Sequence, residues 1–94
     1  MMNSLLNLPG EFQTLATREN GSLARQKLLN ILDDHEVVTL DFANSSVSPS
    51  FADELVGILA RELGFEVFRT KIRMVNVSTP TKAILKHVLS KRLH

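Results

Sequence analysis

Glu36-Val37-Val38-Thr39-Leu40-Asp41-Phe42-Ala43-Asn44-Ser45-Ser46-Val47-Ser48-Pro49-Ser50-Phe51-Ala52-Asp53-Glu54-Leu55-Val56-Gly57-Ile58-Leu59 runs a strand, a polar loop and a helix start together. Glu36–Phe42 is β-branched and apolar and too short for a helix, so it reads as a strand. Its near-continuous apolar run predicts a central position covered on both faces. Ala43–Val47 is polar loop. Ser48-Pro49-Ser50 opens a helix, because proline is favoured at the first helical position, where its missing N–H costs nothing. Either serine can cap that helix, and Ser50 with Asp53 fits the Ser-x-x-acid capping pattern. Ala52, Leu55, Val56, Leu59 and Leu63 make the buried stripe, with Ile58 beside it, and Gly64 is a natural stop.

Downstream, Lys71–Val77 reads as a second strand, and Thr79-Pro80 starts a last helix by the same cap-then-proline logic. Ile84, Leu85, Val88, Leu89 and Leu93 line its inner face. Lys82, Lys86, Lys91 and Arg92 are assigned to its outer face. Upstream, Asn20-Gly21-Ser22 reads as a break, with Ser22 capping a helix that runs to His35. Residues 24, 28, 31, 32 and 35 form its stripe, and Asp33-Asp34 disfavours continuation at the negative helix end. At the start, Asn3–Leu8 and Glu11–Thr17 are expected as two short strands joined by a type II turn at Pro9-Gly10. The order is (ββ)-α-β-α-β-α. It predicts an α/β domain over residues 1–94, with a small mixed sheet of about four strands and three main helices. Strand–helix–strand units of this length imply parallel pairing through right-handed crossovers.

Composition narrows the function. Ninety-four residues with 44 % apolar content is one ordered domain. No apolar run approaches the roughly 18–20 residues that span a bilayer. Met1–Gly10 carries no Lys or Arg, so no signal-peptide n-region is expected there. The chain has no cysteine, and nothing in its composition points to an oxidising compartment. These features lead us to expect a cytoplasmic protein without a membrane partner. So small a core leaves little room for a deep substrate cavity, which argues against an enzyme. His35, His87 and His94 lack ligand spacing, so no metal is expected. Without a Gly-rich phosphate loop or a Ser/His/acid set, no cofactor and no hydrolase chemistry are expected.

Charge is lopsided. All ten acids lie at or before Glu66, whereas seven of the eleven bases lie after it. The C-terminal helix therefore offers Lys82, Lys86, Lys91 and Arg92 as a basic surface, and nucleic-acid binding is the alternative function. Against it stand the near-zero net charge and the lack of Tyr and Trp for base stacking. The other candidate surface follows from Asp41 closing the central strand. In open α/β sheets, functional groups gather outside the carboxyl ends of strands. Asp41, Asn44, Ser48, Ser50, Asp53 and Glu54 are expected to share that edge. A purely structural use is also open: Asp41 bonds the loop, the serines cap, and the acids complement the helix dipole.

The segment from Val38 to Leu59 resembles the STAS-like domain family of unknown function. In that family a strand ending in Asp precedes a loop and a Ser-Phe-Ala-Asp-Glu run, here Ser50-Phe51-Ala52-Asp53-Glu54. Arg18-Glu19-Asn20-Gly21-Ser22 looks like the same family's Arg–Gly element ahead of the first helix. More distantly, the layout is similar to the bacterial STAS-domain anti-sigma factor antagonists. Their serine after the strand Asp is phosphorylated by a histidine-kinase-like ATPase. The resemblance implies a non-catalytic regulatory and protein-interaction module, with such an ATPase or another regulator as partner. It places Ser50, nine residues after Asp41, at the phosphoacceptor position. Pro49, Phe51 and Ala52 depart from the antagonists' Asp, second Ser and Gly. A phosphate on Ser50 is expected to gain from the helix N-terminus and to be repelled by Asp53 and Glu54.

Overall fold

The computed structural model describes residues 3–92. The elements are β1 (Asn3–Asn7), α1 (Leu8–Glu11), α2 (Arg18–Asp34), β2 (Val37–Asp41), α3 (49–63), α4 (Phe65–Lys71), β3 (Ile72–Val75) and α5 (Thr79–Arg92). The strands lie in the order β1-β2-β3, and both pairs are parallel. Leu6, Leu40 and Met74 stand abreast in the register.

The expected N-terminal hairpin is replaced by something else. Asn3–Asn7 is a strand, but it pairs in parallel with β2, and residues 12–17 form no strand. The side chain of Asn7 accepts a hydrogen bond from the Gly10 N–H at 3.0 Å. That cap turns Leu8-Pro9-Gly10-Glu11 into one helical turn, whose start tolerates proline. The sheet among the described residues is therefore three-stranded and wholly parallel, not mixed and four-stranded.

Because strand order follows chain order, both crossovers step the same way across the sheet. Right-handed crossovers then place α2 and α3 on one face. There α2 packs on α3 and β2, and α5 packs on α3. Burial along the strands alternates accordingly. Leu6, Val38, Leu40 and Ile72 are buried, Val37, Thr39 and Asp41 are half-buried, and Leu5 on the open face is 60 % exposed. β2 is central, but one of its faces is left partly open, contrary to the two-sided cover its composition implies.

α2 starts earlier than expected. Thr17, not Ser22, is its cap, accepting from the Asn20 N–H at 3.1 Å. Asn20-Gly21-Ser22 lies inside the helix. Gly21 is buried there because a Cβ would come within 2.8 Å of the Phe51 carbonyl and Glu54 Cβ. The glycine lets α2 and α3 approach, and does not break the chain. α2 ends at His35, as the acidic pair implies.

α3 opens at Pro49 after the Ser48 cap and widens into a π-helical segment over Asp53–Gly57, where the Ile58 N–H reaches the Asp53 carbonyl. Phe51, Leu55, Val56 and Leu59 are fully buried at the centre of the core. Gly64, at φ 84°, ends the helix in a conformation glycine adopts without strain. α4 follows at once and was not anticipated: Phe68 anchors it in the core, but exposed Phe65 and Val67 blur any helical stripe. On α5, Leu85 and Val88 are buried and Ile84 and Leu89 half-buried, while Leu93 lies outside the described residues.

Candidate functional site

The loop after β2 is built rather than loose. Asp41 Oδ1 accepts from the Ala43 N–H at 2.8 Å and from Asn76 Nδ2 at 3.0 Å. The Asn44 N–H donates to the Asn76 carbonyl at 2.8 Å. Ala43, Asn44 and Asn76 all take positive φ, so the ends of β2 and β3 turn together. The buried Thr81 hydroxyl donates to the Ser45 carbonyl at 3.2 Å and ties the loop to α5. Asp41 thus acts as a clamp, and Asn44 is exposed at the tip.

Ser48 is committed as well. Its hydroxyl accepts from the Phe51 N–H at 3.0 Å and donates to the Ala16 carbonyl at 2.8 Å. One side chain therefore caps α3 and fastens the segment before α2. Ser50, two residues on, is half-buried, and its hydroxyl has no hydrogen-bond partner among the described residues.

Asp53 and Glu54 sit where the π segment begins, and three arginines from two other helices meet them. Arg92 of α5 grips Asp53 with two hydrogen bonds, Nε to Oδ1 at 2.8 Å and Nη2 to Oδ2 at 2.6 Å. Arg18 of α2 donates to Glu54 at 2.8 Å and lies 3.7 Å from Asp53. Arg25, also of α2, pairs with Glu54 at 2.9 Å and donates to its main-chain carbonyl inside the widened turn. Both acids are largely shielded, with side-chain exposures of 18 % and 14 %. Hydrogen bonds from Arg92, aided by the charges of Arg92, Arg18 and Lys91, hold the Asp53 carboxyl below its usual range. Hydrogen bonds from Arg18 and Arg25 do the same for Glu54. Gly57 makes the Arg92 grip possible, since a Cβ there would stand 2.6 Å from Asp53 Oδ1 and 3.1 Å from Arg92 Cγ.

Two concavities open beside this network and share Asp53 and Lys91 as walls. One, of about 160 Å³, is lined by Arg18, Pro49, Ser50, Asp53, His87, Val88 and Lys91. The other, of about 370 Å³, is lined by Asp53, Arg61, Lys91 and Arg92. The six residues expected along one edge thus divide. Asp41 and Asn44 belong to the loop clamp, Ser48 is a buttress, and Ser50, Asp53 and Glu54 join a basic recess. The supposed basic surface divides too. At 100° per residue, Lys82 and Lys86 lie on one flank of α5 and Lys91 on the other, while Arg92 turns inward to Asp53. Asp53 and Glu54, the acids expected to repel a phosphate at Ser50, are paired with Arg92, Arg18 and Arg25.

Arg25, Arg61 and His87 carried no functional weight in the sequence. One signal was available: Arg18, Gly21 and Arg25 fall at i, i+3 and i+7, a single helix face with a glycine between two guanidiniums. The Arg–Gly element and the Ser-Phe-Ala-Asp-Glu run meet across that face.

A parallel α/β sheet with helices on one face, a clamped loop after its central strand and a serine at the next helix start define a STAS-like class of domain. The chain belongs to the family described as the STAS-like domain of unknown function, whose family model matches residues 21–82. No curated protein and no solved structure matches the chain. Among the described residues, no helix is long and apolar enough to cross a membrane.

Proposed function

We propose that this protein is a non-catalytic regulatory module of the bacterial cytoplasm that acts by binding another protein, with Ser50 as its switch. The observation that carries the reading is the setting of Ser50. Its unengaged hydroxyl lines a recess with Arg18, His87 and Lys91, and the nearby acids are already paired. A phosphate there adds about −1.5 to −2 charge and three acceptor oxygens within reach of a basic wall. The modification changes the charge at the start of α3. A histidine-kinase-like ATPase, as kinase and as binding partner, is the candidate drawn from the more distant resemblance to the anti-sigma factor antagonists. Nucleic-acid binding is less well supported, because Lys82 and Lys86 stand apart from Lys91 and Arg92 is engaged with Asp53.

The test is capture of a partner from the native host, followed by affinity measurements on wild type, Ser50→Ala and Ser50→Asp. Ser50→Asp weakens binding about tenfold or more, equivalent to about 1.4 kcal/mol, while Ser50→Ala stays within about twofold. Equal affinities for all three, with circular dichroism showing each folded, would overturn the switch.

A further inference from the structure

The α3 face that carries Ser50 extends well beyond it. Ser50, Asp53, Gly57 and Arg61 follow one another along a single side of the helix. Shared cavity walls show this for the first two and for Asp53 with Arg61, and the Gly57–Asp53 approach shows it for the third. The eleven helical steps from Ser50 to Arg61 make a track about 16 Å long. His87, Lys91 and Arg92 of α5 flank it on one side, and Arg18 of α2 flanks its start. Among the lining residues, four cations (Arg18, Arg61, Lys91 and Arg92) stand against one acid, Asp53, and Glu54 lies beside them. Arg18, Arg25 and Arg92 answer those acids, whereas Arg61 and Lys91 are exposed and pair with no acid among the described residues. Arg92 is bonded to Asp53 and forms part of the wall.

We infer that this groove between α3 and α5 docks an acidic, extended segment of the protein partner. Charge complementarity selects the occupant, because net positive charge lines an elongated track rather than a closed pocket. About five extended residues cover 16 Å at roughly 3.3 Å each. Carboxylates of the segment meet Arg61 and Lys91. The inference rests on the protein-binding reading above and specifies its chemistry. A phosphate on Ser50 would lie at one end of the track and repel the segment.

The probe is a fluorescein-labelled ten-residue peptide of alternating Glu and Ser, titrated by anisotropy with the intact chain at low salt. The expected result is saturable binding that weakens at least about tenfold in Arg61→Glu/Lys91→Glu. Lys82→Glu/Lys86→Glu, the same charge change on the other flank of α5, leaves it within about twofold. Neither pair removes an ion pair seen in the fold, and circular dichroism verifies folding. Equal loss in both pairs, no binding at millimolar protein, or displacement by inorganic phosphate or duplex DNA at lower concentration than by unlabelled peptide would overturn the groove. The two readings fail separately. If the peptide binds the groove but Ser50→Asp binds it as wild type does, the switch falls and the groove stands. If the peptide does not bind but a native partner distinguishes Ser50→Asp from Ser50→Ala, the groove falls and the switch stands.

Discussion

Ser48 and Ser50 are two residues apart and occupy opposite situations. The Ser48 hydroxyl is used twice, as acceptor for the Phe51 N–H and as donor to the Ala16 carbonyl. Its loss leaves a helix N–H and a loop carbonyl without their partner. Ser48→Ala is expected to cost about 1–2 kcal/mol, the upper part of the range for N-cap removal. Ser50→Ala removes no hydrogen bond and is expected to stay within about 0.5 kcal/mol. Urea denaturation of the two variants checks the difference, and equal losses would mean that the cap is misassigned. The start signal put Ser48 at or beside the cap and Ser50 in the first turn, since proline favours the first helical position. What it did not show is the Ser48 bond to the Ala16 carbonyl, 32 positions away, which only folding brings near.

At the scale of elements, α3 joins the hydrophobic core to the charged recess. Leu55 and Leu59 are fully buried on its inner side. Truncation of either to alanine is expected to cost roughly 2–4 kcal/mol, measured by chemical denaturation. On the other side, Asp53 and Glu54 tie α3 to α5 and α2. Both carboxyls are held below their ordinary values in the folded chain. Their contribution is therefore complete above the unfolded-state range of about 3.9–4.3 and is lost as pH falls through and below it. The urea midpoint is expected to drop as pH goes from about 5 to about 3. In Asp53→Asn/Glu54→Gln it starts lower at pH 7 and drops less steeply. An unchanged slope in that variant would show that the network does not couple the helices. The apolar stripe of α3 was legible because it repeats every turn. The ion-pair network was not, because its arginines come from positions 18, 25 and 92, and no local pattern links them to 53 and 54. The π segment likewise has no periodic signature, since it shifts the helix by less than one turn.

For the molecule as a whole, the consequence of sequential strand order is a sheet with one covered face. Leu5 and Leu6 are neighbours on β1 and point to opposite sides, the first 60 % exposed and the second buried. Leu6→Ala is expected to cost about 2–5 kcal/mol, and Leu5→Lys to remain within about 0.5 kcal/mol. Thermal or urea denaturation of this adjacent pair reads out which face holds the core. A large loss from Leu5→Lys would require a cover on the open face that the described residues do not supply.

The sequence by itself determined the α/β class, the central parallel strand at 37–41, the helix begun by Ser48-Pro49, the stop at Gly64 and the inner stripe of the last helix. Each of these is written in residues a few positions apart, where backbone preference and side-chain period act directly. Tertiary structure alone decided the rest. It laid Asn3–Asn7 beside β2 instead of in a hairpin, because β2 offers a free edge once α2 has crossed over. It kept Gly21 inside a helix, because α3 comes within van der Waals reach there. It gathered Arg18, Arg25, Arg61, His87, Lys91 and Arg92 around Ser50, Asp53 and Glu54, turning an acidic helix start into the floor of a basic groove. Charges act through space, so their partners are set by which helices pack together, and that is a property of the folded chain.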